Sequence, residues 1–143
     1  MPYLFGTDTK TIILKQESHK LFQEFEVETA VSVKKGMPVY ITGDGQVSPN
    51  LVTTTTQQTI GISMHDGEAG ELVTVMMKAY AIIFAECETA GLVAGPVSNG
   101  TTDPYNAVTG YVLIDDAVVT SATQLGWALE GGGDGDIVRV ALL

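Results

Sequence analysis

The chain has 143 residues, 45% of them hydrophobic and 17% charged, a balance that suits one folded domain and excludes wholesale disorder. Seventeen acids against seven bases leave a net charge of −10, which repels phosphate backbones and anionic bilayers and so argues against nucleic acid and membrane as partners. Cys87 is the single cysteine, so neither an intrachain disulfide nor a cysteine zinc cluster can form, and it reads as a small buried apolar residue.

From Met1 to about Leu14, apolar side chains (Tyr3, Leu4, Phe5, Ile12, Ile13) mix with Thr and Asp without a sustained period. This stretch reads as an extended arm, without the basic and long apolar regions of a secretory signal. A short helix could run through Glu17 to Phe22, but polar and apolar residues largely alternate from Phe22 to Glu28, which predicts a strand. Residues 1–32 are thus an arm with a first strand. Pro38 to Thr42, Gly43-Asp44-Gly45 and Gln46 to Pro49 then read as strand, hairpin turn and strand, since Asp-Gly supplies the positive φ that such turns need. Thr53 to Thr56 reflects β-propensity, and a strand follows through Ile60 and Ile62. The apolar run from Leu72 to Ala85 is too short for a spanning helix, carries Lys78 in its middle, and predicts one long or two adjoining buried strands.

The most informative pattern is internal. Displaced by 65 positions, Ile60-Gly61-Ile62-Ser63-Met64 falls on Leu125-Gly126-Trp127-Ala128-Leu129 without a gap. Gly67 then meets Gly132, Gly70 meets Gly135, Glu71 meets Asp136, and Leu72-Val73 meets Ile137-Val138. Each copy is an apolar strand, a Gly-rich acidic turn and a second strand. Gly61 and Gly126 predict a bulge or close backbone approach, and Gly70 and Gly135 predict turn ends where a side chain would clash. A hairpin cannot bury its own apolar face, so the copies are expected to pack on each other or to pair into one sheet. Residues 33–143 form a single β domain of two similar halves, about 33–77 and 91–142, with Asp103-Pro104-Tyr105-Asn106 as a turn insertion in the second. The fold expected is all-β, a small barrel or sandwich with an extended N-terminal arm. Trp127 stands at the position of Ile62 and is expected to face the core.

No catalytic constellation emerges. Gly131 to Asp136 lacks the lysine and the Ser or Thr of a phosphate loop and leads into a strand. Asp66, Glu68, Asp134 and Asp136 are either solvated turn charges or a weak cation site. His19 and His65 have no metal-ligand spacing with each other or with Cys87, and nothing local supports a Cys87, His65 and Asp66 triad. Asp115 and Asp116 would point to opposite faces of a strand, which argues against a glycosidase pair. Asn99-Gly100-Thr101 matches the glycosylation pattern but reads as a turn. The expectation is a structural or binding protein rather than an enzyme, with no cofactor and no metal.

The ordered set Lys34-Lys35-Gly36-Met37-Pro38-Val39, Thr42 to Val47, Ile60 to Met64 and Gly70 to Val75, closed by Gln124 to Glu130 and Asp136 to Val140, resembles tailed-bacteriophage capsid decoration (head cement) proteins. The resemblance covers roughly residues 33–143. It implies a virion protein on the outer surface of the capsid, partnered by the major capsid protein, often as a homotrimer, that stabilises the head. The arm residues Tyr3, Leu4, Phe5, Ile12 and Ile13 would then dock on the capsid or on a neighbouring subunit by adding to a sheet edge. The alternative is a glycan- or receptor-binding β module such as a head-fibre base, with Trp127, Tyr105 and the Thr-rich loop as its contact surface.

Overall fold

The structure is a computed structural model that describes residues 22–50, 58–78, 81–88, 91–101, 103–117, 119–120 and 123–143. The arm residues Tyr3, Leu4, Phe5, Ile12 and Ile13, together with His19 and Thr53 to Thr56, lie outside the described residues. Twelve strands and no helix occur among those described: β1 (Phe22–Val27), β2 (Ser32–Val33), β3 (Pro38–Gly43), β4 (Gln46–Pro49), β5 (Gly61–Ser63), β6 (Gly67–Glu68), β7 (Leu72–Met77), β8 (Ile82–Cys87), β9 (Gly95–Asn99), β10 (Val112–Asp115), β11 (Gln124–Ala128) and β12 (Ile137–Leu142).

Ten of these strands close into two five-stranded barrels, β1-β4-β3-β5-β7 and β8-β10-β9-β11-β12, and β2 pairs with β6 in a separate two-stranded sheet. The two barrels have one plan. Each opens with a strand that runs parallel to its third (Val27 beside Val47, Cys87 beside Ile114) and antiparallel to its last (Phe25 opposite Val73, Ala85 opposite Val138). Even the short β2–β6 pairing has its counterpart, a single bridge between Leu92 and Gly132. The duplication therefore extends beyond the hairpin to the whole barrel. The first barrel starts at β1, within residues 1–32, and the second takes in β8, which lies between the two halves read from the sequence.

Alternation fills each interior. Val27, Val33, Val39, Val47, Val73 and Val75, all fully buried, make the first core. Burying a valine contributes about 1.5–3 kcal/mol before chain entropy is counted, and its branched Cβ suits the pleat. The second interior is larger and more mixed, with Leu125, Leu142, Ile114, Val97, Val138 and Val140 among its buried members. Its cluster also takes in Ile62 and Met76 from the first barrel.

The glycines show why the repeat is strict. A Cβ on Gly61 would collide with the Met76 carbonyl oxygen, and one on Gly126 with the Ala141 carbonyl oxygen, so both mark a close backbone approach at the same place in each barrel. A register shift between Gln124 and Gly126 adds the bulge in the second copy. Gly70 and Gly135 both have φ of +84° with open space around them. They are required by backbone conformation, and the steric clash expected there from the sequence is absent.

Two further expectations are corrected. The hairpin copies do not pair into one sheet, because each finds its partners in the strands just upstream and closes a barrel of its own. Trp127 does not face the core: it is 46% exposed, since it pairs with Ala141, which points outward between the inward Val140 and Leu142. Ile62 points outward too and is buried only because it belongs to the second barrel's cluster. Leu72 to Ala85 resolves into β7 and β8, one strand in each barrel.

Candidate interaction surface

The acidic turns are built as self-capped corners. In the first copy the Glu71 carboxylate accepts the Glu68 N–H at 2.8 Å; in the second the equivalent Asp136 accepts the Gly133 N–H at 2.8 Å. Asp66 accepts the Lys35 N–H at 2.8 Å, and Lys34 lies 4.0 Å from Asp66 and 3.9 Å from Glu68. These ion pairs are exposed and contribute little. Among the described residues no three His, Cys, Asp or Glu side chains converge so as to hold a metal ion. The turn carboxylates satisfy backbone donors that a two-strand corner leaves open.

His65 and Glu130 occupy equivalent places and do equivalent work. The Thr74 N–H donates to His65 Nε2 at 3.0 Å, and the Arg139 N–H donates to Glu130 Oε2 at 2.9 Å. Arg139 Nε adds a second bond to the same carboxylate at 3.1 Å, which holds the Glu130 carboxyl below its ordinary range. Cys87 lies in the other barrel from His65, fully buried, and burial together with the nearby Asp136 and Asp116 carboxylates pushes its thiol pKa up. The structure does not bring Cys87, His65 and Asp66 together.

The second barrel departs from the first at two places. Where β3 and β4 are joined by the tight turn at Asp44-Gly45, β9 and β10 are joined by the insertion that contains Asp103 to Asn106. Two carboxylates pin this loop: buried Glu86 accepts from Asn106 Nδ2 and Thr109 Oγ1, both at 2.7 Å, and half-buried Glu88 accepts the Thr101 N–H at 2.7 Å and the Thr101 hydroxyl. Between loop and barrel runs a groove of about 480 Å³ lined by Met37, Glu86, Glu88, Tyr105, Val108 and Asp134, among others. The loop also reaches the first barrel, where a Cβ on Gly36 would stand 2.9 Å from the Gly110 carbonyl oxygen.

The second departure is an apolar outer face left exposed. Ile82 (60%), Phe84 (63%), Trp127 (46%) and Leu129 (43%) are all exposed on β8, β11 and the residue after it. In register, Ile82 lies beside Ala141, Ala141 beside Trp127, and Trp127 beside Pro96, which gives an uncharged row across four strands. Sequence reading named Trp127 and Tyr105 as one contact surface; the structure places Trp127 on this face and Tyr105 at the groove. It missed Ile82 and Phe84, whose alternation with the inward Ala85 and Cys87 was the available signal.

The barrels are joined by polar as well as apolar contacts. Thr59 Oγ1 accepts from Asn50 Nδ2 at 2.9 Å within its own barrel and from Asn99 Nδ2 at 2.7 Å across the junction. Asn99, the residue of the glycosylation pattern, is thereby buried at the end of β9 and is not in a turn. Lys78 Nζ donates to the Gln124 carbonyl at 2.8 Å, and burial lowers its pKa from the ordinary 10.5.

No helix among the described residues is long and apolar enough to cross a membrane. No protein-family model matches the chain, and no curated protein does. Among solved structures, the fold is similar to the N base of head fiber gp8.5 of bacteriophage phi29, with a TM-score of 0.55, 17% sequence identity, and coverage of 87% of this chain and 94% of that one.

Proposed function

We propose that this chain is a structural protein of a tailed-bacteriophage head that binds the outer surface of the capsid through the major capsid protein. The observation that carries this reading is the likeness to a phage head-fibre base along nearly the whole of both chains. The ordered motifs from Lys34 to Val140 that resemble head decoration proteins point to the same part of a virion. The all-β body of this chain, with its short self-capped corners, suits a rigid surface fixture. In this reading the chain carries no catalysis, and its chemistry is contact.

Within that class the head-fibre base is favoured over a head cement, because the fold likeness to a fibre base spans 87% of this chain and 94% of that one. Purified particles test the reading. The chain should co-purify with heads in a fixed ratio to the major shell protein and appear as density on the outer face. Its absence from particles would refute the proposal. Heads assembled without the chain separate the two forms: fibre-base heads keep their resistance to heat and osmotic shock, whereas cement-dependent heads burst.

A further inference from the structure

The two barrels present the same outward row in the same register, and only one of these rows is covered. In the first barrel Phe22 lies beside Met76, Met76 beside Ile62, and Ile62 beside Pro38; Met76, Ile62 and Pro38 are buried, Ile62 and Met76 within the second barrel's cluster. In the second barrel the matching row is Ile82, Ala141, Trp127 and Pro96, and it stands open. We propose that this open face of the second barrel is where a barrel of a second copy of this chain docks.

The occupant follows from the repeat. In a stack of like units, each unit covers the face of the one before it, and a terminal unit that ends the stack carries a polar outer face. The second barrel does the reverse. It has Phe84 where the first has Glu24, and Ala141 and Trp127 where the first has Met76 and Ile62, so the uncovered copy keeps an uncharged row and exchanges the neighbouring acid for an aromatic ring. Among the described residues the cation beside this row, Arg139, is paired with Glu130, and the row itself carries no carboxylate. This matters for a chain of net charge −10, because two copies can meet only where their acids are absent. An aromatic-rich, charge-depleted centre is the composition of a protein–protein contact. The inference concerns copies of this chain alone and stands independently of the capsid reading.

The full chain tests it without any partner. Trp127 is the only tryptophan, so its fluorescence reports on this face directly. Sedimentation velocity over about 0.1–200 µM should show a concentration-dependent rise from monomer to oligomer, with Trp127 emission shifting to the blue in step. Adding salt should strengthen the association by screening the net charge. Trp127→Glu and Phe84→Glu should each weaken it by at least about tenfold. Trp127→Phe should retain it, and Val93→Glu, on an exposed residue in neither the row nor the groove, should leave it unchanged. A cooperative melt for every variant separates lost association from lost folding. A wild-type chain that stays monomeric throughout the range overturns the proposal, as does an oligomer indifferent to Trp127→Glu and Phe84→Glu. A monomer that binds phage heads through Trp127 also overturns it, and assigns the face to the capsid.

Discussion

Gly61→Ala and Gly126→Ala form a matched pair of perturbations, one in each barrel. At both positions the added methyl would meet the carbonyl oxygen of the neighbouring strand, Met76 in one and Ala141 in the other, and at Gly61 also the Val75 Cγ1 at 2.8 Å. Backbone is what must move, and in a closed barrel a strand cannot retreat without opening ladder bonds on its other side. Overpacking against side chains costs about 1–3 kcal/mol, and displacing backbone belongs at or above the top of that range. Gly70→Ala and Gly135→Ala provide the contrast, because open space surrounds them and only the positive φ is strained, at about 1–2 kcal/mol. Urea unfolding followed by far-UV circular dichroism measures both pairs. With a slope of about 1.5–2 kcal/mol/M, a loss of 3 kcal/mol lowers the midpoint by about 1.5–2 M. The reasoning is refuted if either strand glycine tolerates alanine with a shift smaller than that of its turn partner.

Other expectations follow from single groups. Cys87 is fully buried with a raised thiol pKa, so labelling by an aromatic disulfide reagent in native buffer should run at least about a thousandfold slower than in urea; rapid native labelling would contradict the closed second barrel. Because burial lowers the Lys78 pKa from 10.5, the unfolded chain holds more protons than the folded one between the folded value and 10.5. Stability should therefore rise with pH across that window, and Lys78→Met should flatten the rise; parallel urea midpoints for the two proteins up to pH 10.5 check the sign. Glu86→Leu removes the acceptor of two side-chain hydrogen bonds and should cost about 2–3 kcal/mol, with new proteolytic cleavage within residues 103–111 as its local signature.

Most of the strands could be read in the sequence because they alternate cleanly and end at Gly-containing turns. The hairpin at Gly43 to Gly45 and the repeat of Gly61 to Val75 in Gly126 to Val140 needed only local physics. Three features did not. The opening strand of each barrel escaped the repeat because Phe22 to Val27 and Ile82 to Cys87 share little beyond Glu26 and Glu86. The facing of Trp127 was misread because Ile62 was taken for an interior residue, and a strand's facing reverses with a one-residue change of register. Register depends on which strand lies alongside, here Ala141 beside Trp127, and that pairing is non-local. The open apolar face was hidden for the same reason, since Ile82 and Phe84 sit in what reads as one greasy run.

The two barrels also act as each other's control. Where they agree, the shared residue answers a demand of the fold: Gly61 and Gly126 at the close approach, Gly70 and Gly135 at positive φ, Glu71 and Asp136 capping the corner. A barrel of this plan closes with a tight turn between its β3 and β4 equivalents and with an acid in place of Phe84, because the first barrel has Asp44-Gly45 and Glu24 there. Two features are particular to the second barrel among the described residues: the pinned insertion over the groove, and Phe84 and Trp127 on the outer face where the first barrel has Glu24 and Ile62. Burial does not account for leaving Phe84 63% exposed where Glu24 serves equally well in the same backbone position. Large exposed apolar side chains clustered on one rigid face are maintained against the solubility of an otherwise acidic chain only when that face is covered in use. On the proposed reading, contact is concentrated on the second barrel, whose core cluster already takes in Ile62 and Met76 of the first.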